Sequence, residues 1–261
     1  MKLRSEWITL KNTKRADKPN EDLTYCNDDE KLYIVLDGVS RDAENGKYPN
    51  PSPAAEITEL FMNCCVEDIK KQVYGEVDDG AADCLVFSVL KEAVFDANEK
   101  AREFNRTLGH RFPAGTVGII CWSKGERLYY IYLGDCTAEL IRGDQKYEIT
   151  SKQTTNIMLH KKEYTSDQIR FEICNNILHS CGYGVWDGNI GANDFLVTGS
   201  IRLETGDVIL LYSDGAEMSL DGVTIKKQKE LPLDQLVTNC DCNGLISNLD
   251  DQTLIRLFVD D

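Results

Sequence analysis

The 261 residues contain no apolar run approaching the roughly 18 that cross a membrane. Behind the basic start at Lys2 and Arg4 there is no apolar stretch of the kind a secretory leader needs. A cytoplasmic protein without membrane contact is therefore expected. No two cysteines are spaced C-x-x-C, which excludes a zinc ribbon and a thioredoxin-type pair. The ten cysteines then read as reduced thiols, most of them small buried hydrophobes. Cys240 and Cys242, one residue apart, make a poor soft-metal pair. With three histidines, His110, His160 and His179, a Ser-His-Asp triad has no support, and none of the three is given a role. Basic side chains are outnumbered by acidic ones, 29 to 44, for a formal charge of −15. That balance argues against nucleic acid and against an anionic membrane surface, both of which need clustered Lys and Arg.

At 42% apolar and 28% charged residues, the composition is that of a globular chain long enough to bury a large core. Neither an internal repeat nor a low-complexity linker interrupts it, so a single domain over 1–261 is the simplest organisation. Residues 31–37 form an apolar run that predicts a buried strand. Ser52 before Pro53 is a helix start, and Ile57, Leu60, Phe61, Cys64 and Cys65 then fall on one face. A second helix after Asp78-Asp79-Gly80 carries Leu85, Val89, Ala93, Ala97, Ala101 and Phe104 at near-helical spacing. From Gly115 the pattern turns to short strands at 116–122, 127–133, 137–141 and 146–149, joined by tight turns. A polar, irregular segment at about 150–195 follows. Strands resume at 195–203 and 207–213, a helix with flanking loops is expected within 221–248, and a last strand at 253–259. Helices and strands in this order suit an α+β layered sandwich and lack the β-α alternation of a doubly wound sheet.

Asp-Gly occurs at 37, 79, 187, 214 and 221, and most such pairs are simple turns. Asp37 and Asp214 differ, because each ends a continuous apolar run, 32–36 and 208–212. A third acid, Asp250, stands just before the final strand. Carboxylates at the ends of buried strands are held rigidly, and three that converge repel one another unless a cation sits among them. Hard oxygen ligands favour Mg²⁺ or Mn²⁺. The pattern alone equally allows three unrelated strand-end turns.

Six short motifs in order carry a resemblance. They are Asn20-Glu21-Asp22, the stretch 35–40 around Asp37-Gly38, Ala114-Gly115-Thr116-Val117, Leu133-Gly134-Asp135-Cys136, the stretch 206–215 ending in Ser213-Asp214-Gly215, and Asp250-Asp251-Gln252-Thr253. Together they resemble the metal-dependent serine/threonine protein phosphatases of type 2C, the PPM family, in its compact bacterial form. The resemblance runs from about residue 10 to 259. It implies a four-layer α-β-β-α sandwich with two central antiparallel sheets and a pair of helices on each outer side. It also implies two Mn²⁺ or Mg²⁺ ions, with Asp37 bridging both, the Gly38 carbonyl on one, and Asp214 and Asp250 on the other. Glu21 and Asp22 fall in the surrounding shell, hydrogen-bonded to metal-bound water, and Asp135 matches the position of a weaker third ion. The implied reaction is hydrolysis of a phosphoserine or phosphothreonine protein by a metal-bridging hydroxide attacking phosphorus in line, with no catalytic side chain as nucleophile. A monomer is expected.

Several positions depart from the family pattern. The phosphate-binding arginine before the Asn-Glu-Asp motif is replaced by Asp17, with Arg15 and Lys18 on either side, so Arg15 is the candidate phosphate ligand. Val39 stands where many members place a histidine, Ser40-Arg41 replaces a Gly-Gly pair, and Met218 replaces an acid that ligates the third ion, with Glu217 beside it. The unusual arginine register motivates a rival reading, a catalytically weak relative that binds a phosphoprotein without hydrolysing it. A cysteine mechanism at His179-Ser180-Cys181 is disfavoured, because Asp187 occupies the place of its phosphate-binding arginine.

Overall fold

In the computed structural model, which describes residues 1–13, 17–39, 47–73, 83–109, 111–237 and 250–261, two five-stranded sheets share the chain. The strands are β1 (Lys2–Leu10), β2 (Leu23–Asn27), β3 (Leu32–Gly38), β4 (Thr116–Lys124), β5 (Arg127–Leu133), β6 (Thr137–Arg142), β7 (Gln145–Glu148), β8 (Val197–Arg202), β9 (Val208–Tyr212) and β10 (Gln252–Asp260). One sheet runs β1-β10-β9-β6-β7 and the other β2-β3-β4-β5-β8, with antiparallel pairing throughout.

Side-chain alternation along the strands builds the layers. On β9, Ile209 and Leu211 join the large core that also takes Ile255 and Leu257 of β10 and the apolar residues of β3, β4 and β5. Val208, Leu210 and Tyr212 point the other way, with Leu254, into a second cluster. That cluster is closed by α5 (Asp214–Leu220), α6 (Ile225–Glu230) and α7 (Leu233–Val237). The opposite outer face is covered by two long helices, α1 (Pro53–Val73) and α2 (Asp83–Leu108). Ser52 caps α1 as expected, its Oγ accepting from the Ala55 N–H at 3.2 Å. Helix, sheet, sheet, helix is the four-layer sandwich that the resemblance implies, with three short helices among the described residues in place of a pair on one side.

The second helix turns Val89, Ala93, Ala97 and Ala101 inward, but Leu85 is 41% exposed, and it is Val86 beside it that is buried in the first turn. The helix expected within 221–248 is α6 and α7, broken at Pro232; residues 238–249, including Cys240 and Cys242, lie outside the described residues, as do Ser40, Arg41 and His110. Between β7 and β8 the polar segment folds into short pieces, among them α3 (Thr155–His160) and α4 (Ser166–Gln168), the latter continuing into a π-helical turn at Ile169–Ile173. No helix among the described residues is long and apolar enough to cross a membrane.

Two strands escape the sequence reading. β1 pairs along its whole length with β10, Lys2 opposite Asp260 and Leu10 opposite Gln252, and so brings the two ends of the chain together. β2 hairpins onto β3. Both are edge strands whose side chains are mostly half-exposed, which removes the apolar signal that marks a buried strand.

Candidate active site

The strand ends that carry Asp37, Asp135, Asp214 and Asp250 open into one cleft of about 200 Å³, lined also by Gly38, Val39, Val117, Thr154, Tyr183 and Val185. Asp37 is fixed by its place near the end of β3, between β2 and β4. Its carbonyl accepts from the Thr116 hydroxyl at 2.8 Å, the Gly38 N–H donates to the Glu21 carbonyl at 3.2 Å, and the Val39 N–H donates to the Gly115 carbonyl at 2.9 Å. A Cβ on Gly38 would lie 2.9 Å from the Glu21 carbonyl oxygen, so a side chain there would push the two strand ends apart.

Asp214 begins α5 directly after β9, and Asp250 precedes β10, the neighbour of β9 in the sheet. Ser213 ties the sheets at this point. Its hydroxyl donates to Asp22 Oδ2 at 2.6 Å and accepts from the Thr253 N–H at 3.0 Å. Gly215 lets α5 sit against the Asp250-Asp251 backbone, since a Cβ there would come 1.9 Å from the Asp251 carbonyl oxygen. Asp135, in the turn after β5, accepts from the Thr154 hydroxyl at 3.1 Å.

Burial without water pushes these carboxyls toward the protonated form. Asp37 is raised well above the ordinary carboxylate range, first by burial and then by the charges of Asp22, Asp214, Asp135 and Asp250. Burial raises Asp214 to about 6, with Asp135 and Asp250 adding to it, and raises Asp135 as well. Asp22 is raised to about 7, again chiefly by burial, against the lowering effect of its bond from Ser213. The buried Oδ1 of Asp214 has no hydrogen-bond partner. Unpartnered buried carboxylate oxygen beside three further acids is the arrangement a hard divalent cation relieves, so the residues present fit such an ion. Among the described residues no three acids, histidines or cysteines already close around one point.

Glu21 turns away from the cleft. Its carboxylate accepts from the Tyr48 hydroxyl at 2.5 Å and from Ser52, and pairs with Lys18 at 3.2 Å. Lys18 also lies 3.2 Å from Asp251 and 3.4 Å from Asp250, and its ammonium is held charged by them despite its burial. Asp251 Oδ1 accepts from the Asn12 N–H at 2.7 Å and its Oδ2 from the Glu21 N–H at 2.9 Å, which anchors the loop after β1 to the start of β10. Lys18 flanks, and Asp251 and Ser213 lie within, motifs that assign them no role of their own; their contacts here do. Arg15 lies outside the described residues. Met218 is 64% exposed, and Glu217 beside it is taken by Lys152, so the side chains near Asp135 include a cation as well as acids. Cys181 is buried.

No family model matches the chain. The protein phosphatase PhpP of Streptococcus pneumoniae, in strains D39 and R6, is 25% identical over 132 residues, 49% of this chain and 50% of the relative. The match thus spans about half the length of these curated relatives. Among solved structures, the serine/threonine phosphatase PstP/Ppp of Mycobacterium tuberculosis superposes with a TM-score of 0.70 at 18% identity, covering 100% of both chains. A Streptococcus agalactiae serine/threonine phosphatase gives 0.68 at 17% identity, over 99% of this chain and 100% of that one. The catalytic domain of PstP in complex with two manganese ions gives 0.66 at 18%, over 100% and 99%. The resemblance carried by the motifs is thereby borne out in sequence over half the chain and in fold over its whole length.

Proposed function

We propose that this chain is a Mn²⁺- or Mg²⁺-dependent phosphoserine/phosphothreonine protein phosphatase. The observation that carries the reading is the convergence of Asp37, Asp135, Asp214 and Asp250 on one cleft, with Asp214 Oδ1 left unpartnered. The likeness to a phosphatase crystallised with two manganese ions supports it. Asp37, the Gly38 carbonyl, Asp214 and Asp250 would hold a pair of ions, and Asp135 a third. Bound there, divalent ions supply a nucleophilic water near neutral pH and positive charge for the phosphoryl oxygens.

The protein's own groups prepare the site. Ser213 links the ends of β9 and β10 to Asp22, just before β2 in the other sheet. Lys18 pairs with Asp250 at the edge of the cleft, and Thr154 orients Asp135. Val39, Val117 and Val185 make an apolar wall that limits water around a bound phosphoryl group, which strengthens its electrostatic contacts. Residues 150–195 supply Thr154, Tyr183 and Val185 to the rim, so this segment is the flap over the cleft of one phosphatase domain, and substrate choice falls to it. A cytoplasmic monomer acting on phosphorylated proteins is part of the same reading. A module that binds phosphoproteins without hydrolysing them has no need of four converging carboxylates, which argues against that rival.

The test is hydrolysis of p-nitrophenyl phosphate and of a phosphothreonine peptide with Mn²⁺, Mg²⁺ or chelator, on wild type beside Asp37→Asn and Asp214→Asn. Loss of groups outside the ligand shell costs about 10–100-fold in metal sites, so both variants are expected to lose more than that. A folded wild type with no metal-dependent turnover overturns the proposal.

A further inference from the structure

One cation links the turn that carries Asp135 to the first turn of α5. Its stretch of backbone is fixed from both sides. The Ser151 N–H donates to the Tyr132 hydroxyl at 3.1 Å, and the Gln153 N–H to the Gly134 carbonyl at 3.0 Å. The Gly134 N–H donates back to Gln153 Oε1 at 3.0 Å, and Gln153 Nε2 donates to the Phe195 carbonyl at 2.6 Å. The Thr154 hydroxyl then holds Asp135 Oδ2 at 3.1 Å. Lys152, in the middle of this pinned stretch, reaches across with its side chain alone. Its ammonium pairs with the carboxylate of Glu217, three residues after Asp214 on α5.

That charge is felt in the carboxylate cleft. Burial raises Asp135, and the Thr154 hydroxyl and then the Lys152 charge act against it. Burial also raises Asp214, and Lys152 acts against that rise too. A divalent ion set beside Asp135 would meet the same positive charge, and like charges repel more strongly where burial lowers the dielectric. An acid that could offset the repulsion is missing. Position 218, where the resemblance places a ligand of a third ion, holds Met218, which is exposed, and Glu217 is already paired with the lysine. The groups around Asp135 thus suit an ammonium, and do not suit a hard divalent ion that must share the place with one.

We propose that Lys152 supplies from within the chain the positive charge beside Asp135, so that two divalent ions fill the centre and a third reaches Asp135 only once the ammonium is removed. This rests on the two-ion part of the phosphatase reading and limits its third ion, whose place the native chain fills itself. Counting bound Mn²⁺ by electron paramagnetic resonance tests it without turnover, at a Mn²⁺ level that saturates wild type. Wild type is expected to hold two ions per chain, and Lys152→Gln three. Lys152→Arg, which keeps the charge, should hold two. Asp135→Asn added to Lys152→Gln should return the count to two, because the third ion loses its ligand. Lys152→Met takes the place of Lys152→Gln where the latter does not melt cooperatively. Three ions on wild type, two on the folded charge-removed variant, or a third ion that survives Asp135→Asn overturns the inference and leaves the phosphatase reading standing. Fewer than two ions on folded wild type sinks the two-ion centre itself, and this inference with it.

Discussion

Lys18 puts a buried cation into the acidic corner formed by Glu21, Asp250 and Asp251, with contacts of 3.2–3.4 Å. Glu21 and Asp251 are buried with it, so removing the ammonium leaves two uncompensated charges out of water. Breaking a buried pair by deleting one partner costs about 3–5 kcal/mol, whereas Asp250, largely exposed, adds little. Lys18→Met should therefore lower the stability of the protein by about 3 kcal/mol or more in urea denaturation at pH 7. A loss under about 1 kcal/mol would mean that Glu21 and Asp251 reach water once the lysine is gone. Lys18 also shows where the sequence stopped being informative. Asp37 and Asp214 are legible because each ends an apolar run, a local property of the chain. Lys18 acquires its role through Asp250 and Asp251, 232 and 233 positions away, and nothing in its own surroundings separates it from a solvated surface lysine.

Among the elements, the start of α5 and the start of β10 must nearly touch for Asp214 and Asp250 to share a cleft, and Gly215 is what permits it. The clash a Cβ would make is with backbone, the Asp251 carbonyl oxygen at 1.9 Å, which cannot rotate aside as a side chain would. Gly215→Ala is expected to shift α5 away from β10 and weaken Mn²⁺ binding at least tenfold by isothermal titration calorimetry, while β9 and β10 stay paired. Unchanged affinity would show that the two acids do not act on a common ion. The strands that lead to these acids, β3, β9 and β10, were readable because they lie inside their sheets and carry apolar runs. β1 and β2 were not, because an edge strand that is half-exposed carries no continuous apolar run. Their absence from the sequence reading hid how the N-terminal loop reaches the site, since it is the β1–β10 pairing that carries Asn12 to Asp251 and sets Glu21 beside the end of β3.

For the whole molecule, the charge balance predicts how stability responds to pH and to metal. Asp22 is raised to about 7, Asp214 to about 6, and Asp37 and Asp135 upward, in each case by burial first. A carboxyl raised in the fold binds its proton more tightly there than in the unfolded chain. Its contribution to stability is fully present below the unfolded value near 4 and is lost as pH climbs through the folded value. Lys18, raised in the fold, contributes stability that persists until pH passes its unfolded value near 10.5, so it is constant over this window. The metal-free protein should therefore lose stability steadily from about pH 5 to pH 8. The formal charge of −15 pushes in the same direction through general repulsion, and NaCl screens that part. A divalent ion acts differently, because it competes with protons for the same oxygens and gains on them as pH rises. At a thousand times its dissociation constant it adds about 4 kcal/mol. Melting temperatures at pH 5.5, 6.5 and 7.5, in chelator with NaCl and in Mn²⁺ at matched ionic strength, should thus diverge. The gap should be small at pH 5.5 and widest at pH 7.5. A gap that stays constant across the series would place the bound ion somewhere other than among Asp37, Asp214 and Asp250.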